Sequence, residues 1–119
     1  MYKDVDKLVV WQKSHQLVLG IYDMTQSFPK DELYGLTSQI RRATVSICSN
    51  IVEGKARGSK KEYIRFLLIS RGSLEEVKYQ VLLAKDLNYI DEDQYNSLLS
   101  LGNEVGKLLN GLINKLVRG

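Results

Sequence analysis

A chain of 119 residues, 44% apolar and 26% charged with one proline, has the size and apolar share of a single folded domain, and excludes a two-domain or disordered chain. Its longest stretches without Asp, Glu, Lys or Arg are ten residues (43–52 and 94–103), against the ~20 apolar residues of a membrane-spanning helix. The formal net charge is +3, and with one cysteine, Cys48, and one histidine, His15, neither an internal disulfide nor a His/Cys zinc site is possible; no metal or cofactor is expected. The start of the chain, Met1 to Lys7, carries Asp4 and Asp6 and leads into no cleavable apolar core, so a cytoplasmic location is expected. Helical periodicity begins near Asp6, a residue suited to an N-cap, and sets Val10, Leu17, Ile21, Met24 and Phe28 on one stripe widened by Trp11, Val18 and Tyr22. This predicts a helix over about 7–27, stopped by Pro29, which lacks a backbone donor and clashes with the preceding turn. Asp31 or Thr37 restarts the helix. Gly35 weakens the first turn, so a short helical turn should precede a regular helix over about 37–56 with Ile40, Ala43, Ile47 and Ile51 on its core side.

Gly58 followed by Ser59-x-x-Glu62 is a helix-ending glycine before a pair whose side chains can satisfy each other's exposed backbone donors, and predicts a third helix over about 60–87. The acidic run Asp91-Glu92-Asp93-Gln94 suits the positive end of a fourth helix over about 92–117. There Leu98, Leu101, Val105, Leu108 and Leu112 repeat at spacings of 3, 4, 3 and 4, the seam of nearly antiparallel helices. No stretch alternates like a strand. The fold class expected is all-α, an antiparallel up-down-up-down four-helix bundle forming one domain over 1–119.

Two helices carry more apolar surface than such a bundle can hide. Phe66, Leu67, Leu68 and Ile69 point in four directions around the third helix, Ile64, Leu74, Val77, Val81, Leu82 and Leu83 continue the surplus, and Val45, Cys48 and Val52 flank the core stripe of the second. A helix apolar all round is buried all round, whereas each helix of a four-helix monomer keeps a solvent face, so a homo-oligomer is expected; a wide core stripe in a monomer is the alternative.

Charge is concentrated in one segment. Residues 1–40 and 66–119 each sum to −1, whereas residues 41–65 sum to +5 through Arg41, Arg42, Lys55, Arg57, Lys60, Lys61 and Arg65. The turn at Gly58 should gather the last five of these. Such a cluster is the footprint of a polyanion, because phosphates suit arginine forks and the exposed donors at a helix start, and repetition around an oligomer axis would multiply the field. Basic residues also favour a helix C-terminus for purely structural reasons, and Lys60 and Lys61 can simply be solvated.

A second group, Gln39, Arg42, Ser46, Asn50 and Glu53, lies at spacings of three and four along one flank of the second helix and can face one partner. With Ser73 and Glu76 of the third helix it reads first as a polar network that fixes register and oligomeric state: Arg42 reaching Ser46, Asn50 reaching Glu53 or Ser73, and Gly72 permitting close helix approach. His15 and Cys48 read as packing residues, and Trp11, Tyr22 and Tyr34 as core or junction packing in preference to base-stacking platforms. The chain has no Glu-x-x-His pair, no phosphate-cradling G-x-x-x-x-G-K-[ST] loop, and no constellation that meets the first geometric requirement of acid–base or nucleophilic chemistry. A non-enzymatic protein is expected.

The combination of Val10-Trp11-Gln12, Phe28-Pro29, Glu32, Tyr34-Gly35-Leu36, Gln39-Ile40-Arg41-Arg42-Ala43, Ser46-Ile47, Asn50-Ile51-Val52-Glu53-Gly54, Phe66-Leu67 and Gly72-Ser73-Leu74-Glu75-Glu76 spans most of the chain. In this pattern the sequence resembles the short bundle proteins encoded within intervening sequences of bacterial large-subunit ribosomal RNA genes. The resemblance implies an antiparallel four-helix bundle assembled as a homopentameric ring. It is more distantly similar to the accessory variability determinant protein of diversity-generating retroelements, a pentameric bundle whose basic surface binds nucleic acid and a reverse transcriptase. The functional expectation is therefore a ring that binds structured RNA through residues 41–65, mostly by phosphate neutralisation. The competing expectation is an adaptor that engages a partner protein through apolar and Tyr-bearing surface, without nucleic acid.

Overall fold

The computed structural model describes residues 8–119. Four α-helices run Val9–Thr25 (α1), Leu36–Ala56 (α2), Lys60–Asp86 (α3) and Glu92–Arg118 (α4), and a single 3-10 turn, Lys30–Glu32, interrupts the connection from α1 to α2. Each helix packs on its neighbours in sequence and α1 closes on α4, with no diagonal pairing, which makes an up-down-up-down bundle of 45 × 23 × 20 Å. The long axis is close to the ~40 Å of a 27-residue helix such as α3 or α4.

The helix ends follow local chemistry. Val9 begins α1 after an extended Leu8 that supplies no side-chain cap, and the proposed cap Asp6 lies outside the described residues. Thr25 ends α1 two residues before the expected 27, because the residue preceding Pro29 is disfavoured in the helical region and the chain turns over Gln26 to Phe28. The short turn expected after Asp31 is the 3-10 turn, and Glu32 there accepts the Leu36 N–H at 3.1 Å, capping α2 from four residues upstream. Gly58 adopts φ 79°, the left-handed conformation that lets the chain leave α2 and re-enter α3. Ser59 caps α3 by accepting the Glu62 N–H at 3.1 Å, but the reciprocal half of the expected pair is absent: the Glu62 carboxylate turns to Arg65 instead. The complete reciprocal box belongs to α4, between Asp91 and Gln94 at 2.8 and 3.0 Å.

The core is continuous along the axis. The stripes expected on α1 and α2 are buried, Val10, Leu17, Ile21 and Met24 facing Ile40, Ala43, Ile47 and Ile51. On α4 the deepest line is Gly102, Val105, Leu109 and Ile113, whereas Leu98, Leu101, Leu108 and Leu112 of the expected seam are half-buried along its edge. Buried hydroxyls of Ser14 and Thr44 return to the carbonyls of Val10 and Ile40 one turn back, so they cost the interior no unpaired donor. On α3, Phe66 and Leu67 are buried while Leu68 and Ile69 each remain 41% exposed, and Val45 of α2 is exposed as well. The apolar surplus read from the sequence thus divides between the core and the outside of this chain.

Candidate nucleic-acid interface

α2 and α3 approach each other closely at Gly54. A Cβ there would lie 2.7 Å from Phe66 Cβ and 3.3 Å from the Tyr63 carbonyl oxygen, so the bare glycine lets the start of α3 close on the end of α2. This approach builds a corner. Arg57 donates to Glu53 at 2.9 Å and lies 5.0 Å from the centroid of the Phe66 ring; Arg65 donates to Glu62 at 3.0 Å and lies 4.6 Å from the same centroid. The Lys55 ammonium sits 5.9 Å from the Tyr63 ring. One buried aromatic therefore serves two guanidiniums, each also tethered by a carboxylate.

The electrostatics agree with that geometry. The Arg65 hydrogen bond, reinforced by the charges of Arg65, Arg57 and Lys61, holds the Glu62 carboxyl below its usual range despite some desolvation. Arg65 is correspondingly more firmly protonated, chiefly through its bond to Glu62. Among Glu53, Lys55, Arg57, Lys60, Lys61, Glu62 and Arg65 there are five cations and two carboxylates, and Lys60 and Lys61 are exposed in the first turn of α3, their side chains with neither ion pair nor hydrogen bond among the described residues.

Arg41 and Arg42 do not join this corner. They lie fifteen or more residues before Arg57 on the same helix, about 22 Å away at 1.5 Å per residue. Arg41 donates through Nε to Thr25 Oγ1 at 2.8 Å and lies 4.6 Å from the centroid of the Tyr22 ring. Arg42 is exposed and makes no hydrogen bond or ion pair among the described residues.

The polar group also divides. Ser46 Oγ and Ser73 Oγ are 2.9 Å apart, and Asn50 Nδ2 donates to the Ser46 carbonyl at 2.8 Å and to its hydroxyl at 3.0 Å, giving a small bridge from α2 to α3. Glu53 belongs to the basic corner through Arg57, and Arg42 does not bond to Ser46. Gln39 and Glu76 join Arg42, Ser46 and Ser73 around an open cleft of about 230 Å³. Beside it, Gln80 donates to Glu76 at 3.3 Å while its own amide oxygen is buried without a partner. Gly72, expected to permit close approach, has open space where a Cβ would stand; Gly54 has that role.

Several residues are placed differently from the sequence reading. Tyr34, expected to pack, is 92% exposed, and His15 is exposed but stacked on Trp11 at 5.1 Å. Cys48 is half-buried, and burial pushes its thiol up to about 12. The contact that sequence reasoning missed is Tyr89, whose hydroxyl donates to Glu32 at 2.7 Å and ties the α3–α4 turn to the α1–α2 connection. That bond, with the Leu36 N–H, holds Glu32 below the usual carboxylate range and Tyr89 above the usual phenol range. Only a pairing 57 residues apart could have signalled it. Among the described residues no group of three or more His, Cys, Asp or Glu side chains could hold a metal ion, and no helix is long and apolar enough to cross a membrane.

Fold and surface together define an all-α bundle with a basic corner at one end and exposed apolar residues on α3. The sequence profile of the 23S rRNA-intervening sequence proteins matches residues 6–111, and the chain belongs to that family. A crystal structure of a protein of unknown function from the S23 ribosomal protein family of Bacteroides thetaiotaomicron is similar at 28% identity and a TM-score of 0.82, covering 88% of this chain and 98% of that one. No curated protein matches.

Proposed function

We propose that this protein is a non-enzymatic, cytoplasmic, homo-oligomeric bundle that binds structured RNA through the corner between α2 and α3. The observation that carries the reading is the corner itself: five cations from the last turn of α2 to the second turn of α3, two of them fixed over Phe66 and two in the first turn of α3 without a side-chain partner among the described residues. Pinned guanidiniums lose little side-chain entropy on meeting a phosphate, and free lysines provide mobile charge around them. Neutralisation of phosphates by these cations carries little base information, so recognition in this reading is of backbone and shape.

Self-association is supported by the outer side of α3, where Leu68, Ile69 and Tyr79 are exposed. A monomer leaves these side chains in water; a neighbouring copy would cover them. Five copies in a ring is the assembly that the family resemblance suggests. The same apolar surface favours a second reading, a scaffold for another protein that does not bind nucleic acid. Light scattering of the purified protein, with and without a structured RNA at low and high salt, separates them. A pentamer that gains RNA mass only at low salt is expected; a pentamer indifferent to RNA supports the scaffold, and a monomer contradicts the assembly.

A further inference from the structure

The cations at the start of α2 form a site of their own. Arg41 and Arg42 line a cleft of about 390 Å³ with Tyr22, Tyr34 and Ser38, and no carboxylate is among its lining residues. Its two guanidiniums are differently prepared. Arg41 is positioned by Thr25 and the Tyr22 ring through Nε, which leaves its terminal nitrogens without an acceptor among the described residues. Arg42 is unpaired. Tyr34, 92% exposed at the end of the connection before α2, presents an aromatic ring to solvent beside them.

None of the carboxylates at this end of the bundle lines this cleft; Asp31 is exposed on the connection that carries Tyr34, and Glu76 lines the neighbouring α2–α3 cleft with Arg42. Glu32 accepts the Leu36 N–H and the Tyr89 hydroxyl, and Asp23 and Asp93 line a separate cleft between α1 and α4. A phosphate entering the α1–α2 cleft therefore meets two cations and no anion in its walls. Cations alone would suit any anion. An uncovered ring next to them selects one that carries a flat aromatic group, and the volume is within the range of pockets that hold a single small ligand.

From this juxtaposition we infer that the cleft takes one unpaired nucleotide, its base stacked on Tyr34 and its phosphate between Arg41 and Arg42. Stacking on tyrosine is tolerant of base identity, and an arginine pair recognises the phosphate by charge-assisted bonds. The site lies about 22 Å from the corner along α2, so one RNA with a paired stem and a single-stranded flank can engage both. The inference rests on the RNA-binding reading of the corner and adds to it a preference for unpaired nucleotides.

The test compares a labelled single-stranded oligoadenylate with a blunt RNA duplex by fluorescence anisotropy, using the full chain. Tyr34→Ala should weaken the single strand about tenfold and the duplex by less than about twofold, whereas Tyr34→Phe, which keeps the ring, should bind as the wild type does. Reversal at Lys60→Glu and Lys61→Glu should weaken both RNAs. Unchanged single-strand affinity in Tyr34→Ala, with duplex binding intact, overturns the cleft and leaves the corner standing. A drop in solution mass of Tyr34→Ala at unchanged RNA affinity also overturns it, since Tyr34 would then belong to a protein contact. A wild type that binds neither RNA overturns both readings.

Discussion

The arginines at the two ends of α2 differ in whether a carboxylate holds them. At the C-terminal end, Arg57 is paired to Glu53 over Phe66, and Arg65 of α3 is paired to Glu62 over the same ring. At the N-terminal end Arg41 bonds to Thr25 beside the Tyr22 ring, Arg42 has no partner among the described residues, and Tyr34 is almost wholly in water. A charge sum over residues 41–65 merges these into one patch of +5. Arg42 and Arg57 are fifteen residues apart, and at 1.5 Å per residue the helix between them makes two groups of cations, about 22 Å apart, that no single phosphate group can span. Density along a chain equals density in space only where the chain turns back on itself, as it does at Gly58.

The middle of α2 must be closed for this separation to hold, and Cys48 reports on it. A thiol pushed up to about 12 by burial carries on the order of a thousandfold less thiolate at neutral pH than an unperturbed cysteine. Reaction with a disulfide reagent should be slow in the native protein and fast in denaturant; fast native reaction would mean that the flank of α2 opens. Charge reversal sharpens the contrast between the ends. Lys60→Glu with Lys61→Glu should reduce duplex RNA affinity about tenfold or more at low salt, whereas Arg42→Glu should leave duplex binding nearly unchanged, both read by anisotropy. Equal losses would merge the two sites again.

The two glycines of the α2–α3 pair provide a stability comparison. Gly54→Ala forces a Cβ against the rigid Phe66 Cβ and Tyr63 backbone, and should cost about 1–3 kcal/mol in denaturant unfolding. Gly72→Ala enters open space within α3 and should be neutral or stabilising by up to about 1 kcal/mol in the isolated chain. A smaller effect is expected at the bond joining the two connections. Glu32 is held below its ordinary value by Tyr89, so its contribution is complete above the unfolded-state value and disappears as pH falls through the lowered folded value. Tyr89, raised by the same bond, loses its share as pH rises through its elevated value. Tyr89→Phe should therefore lower the melting temperature slightly at neutral pH. Its difference from the wild type should close in acid below the usual glutamate range and again in strong alkali.

Much of the bundle was legible because its signals are local. The stripes of α1 and α2, the Gly58 turn and the Ser59 cap depend on residues within one or two turns, and periodicity registers them directly. The finer burial on α4 was not legible, since Leu108 and Leu109 are equally apolar and only the position of the neighbouring helices decides which enters the core. At the candidate sites the limit was distance. Sequence spacing placed Lys55 to Arg65 together correctly, but it could not separate Arg41 and Arg42 from them or foresee that Glu62 would leave its cap for Arg65. Nor could it tell Tyr34 from a packed tyrosine. A tyrosine beside a glycine at a helix start reads as a junction residue until the fold leaves its ring uncovered.

The salt dependence of duplex RNA binding tests the basic corner most directly. For the wild type we expect the logarithm of affinity to fall with the logarithm of salt concentration at a slope of roughly −3 or steeper, as release of counterions by several phosphate contacts requires. Lys60→Glu with Lys61→Glu should make that slope shallower by about two. A wild-type slope near zero, or one that the two reversals leave unchanged, would contradict phosphate binding at the corner between α2 and α3.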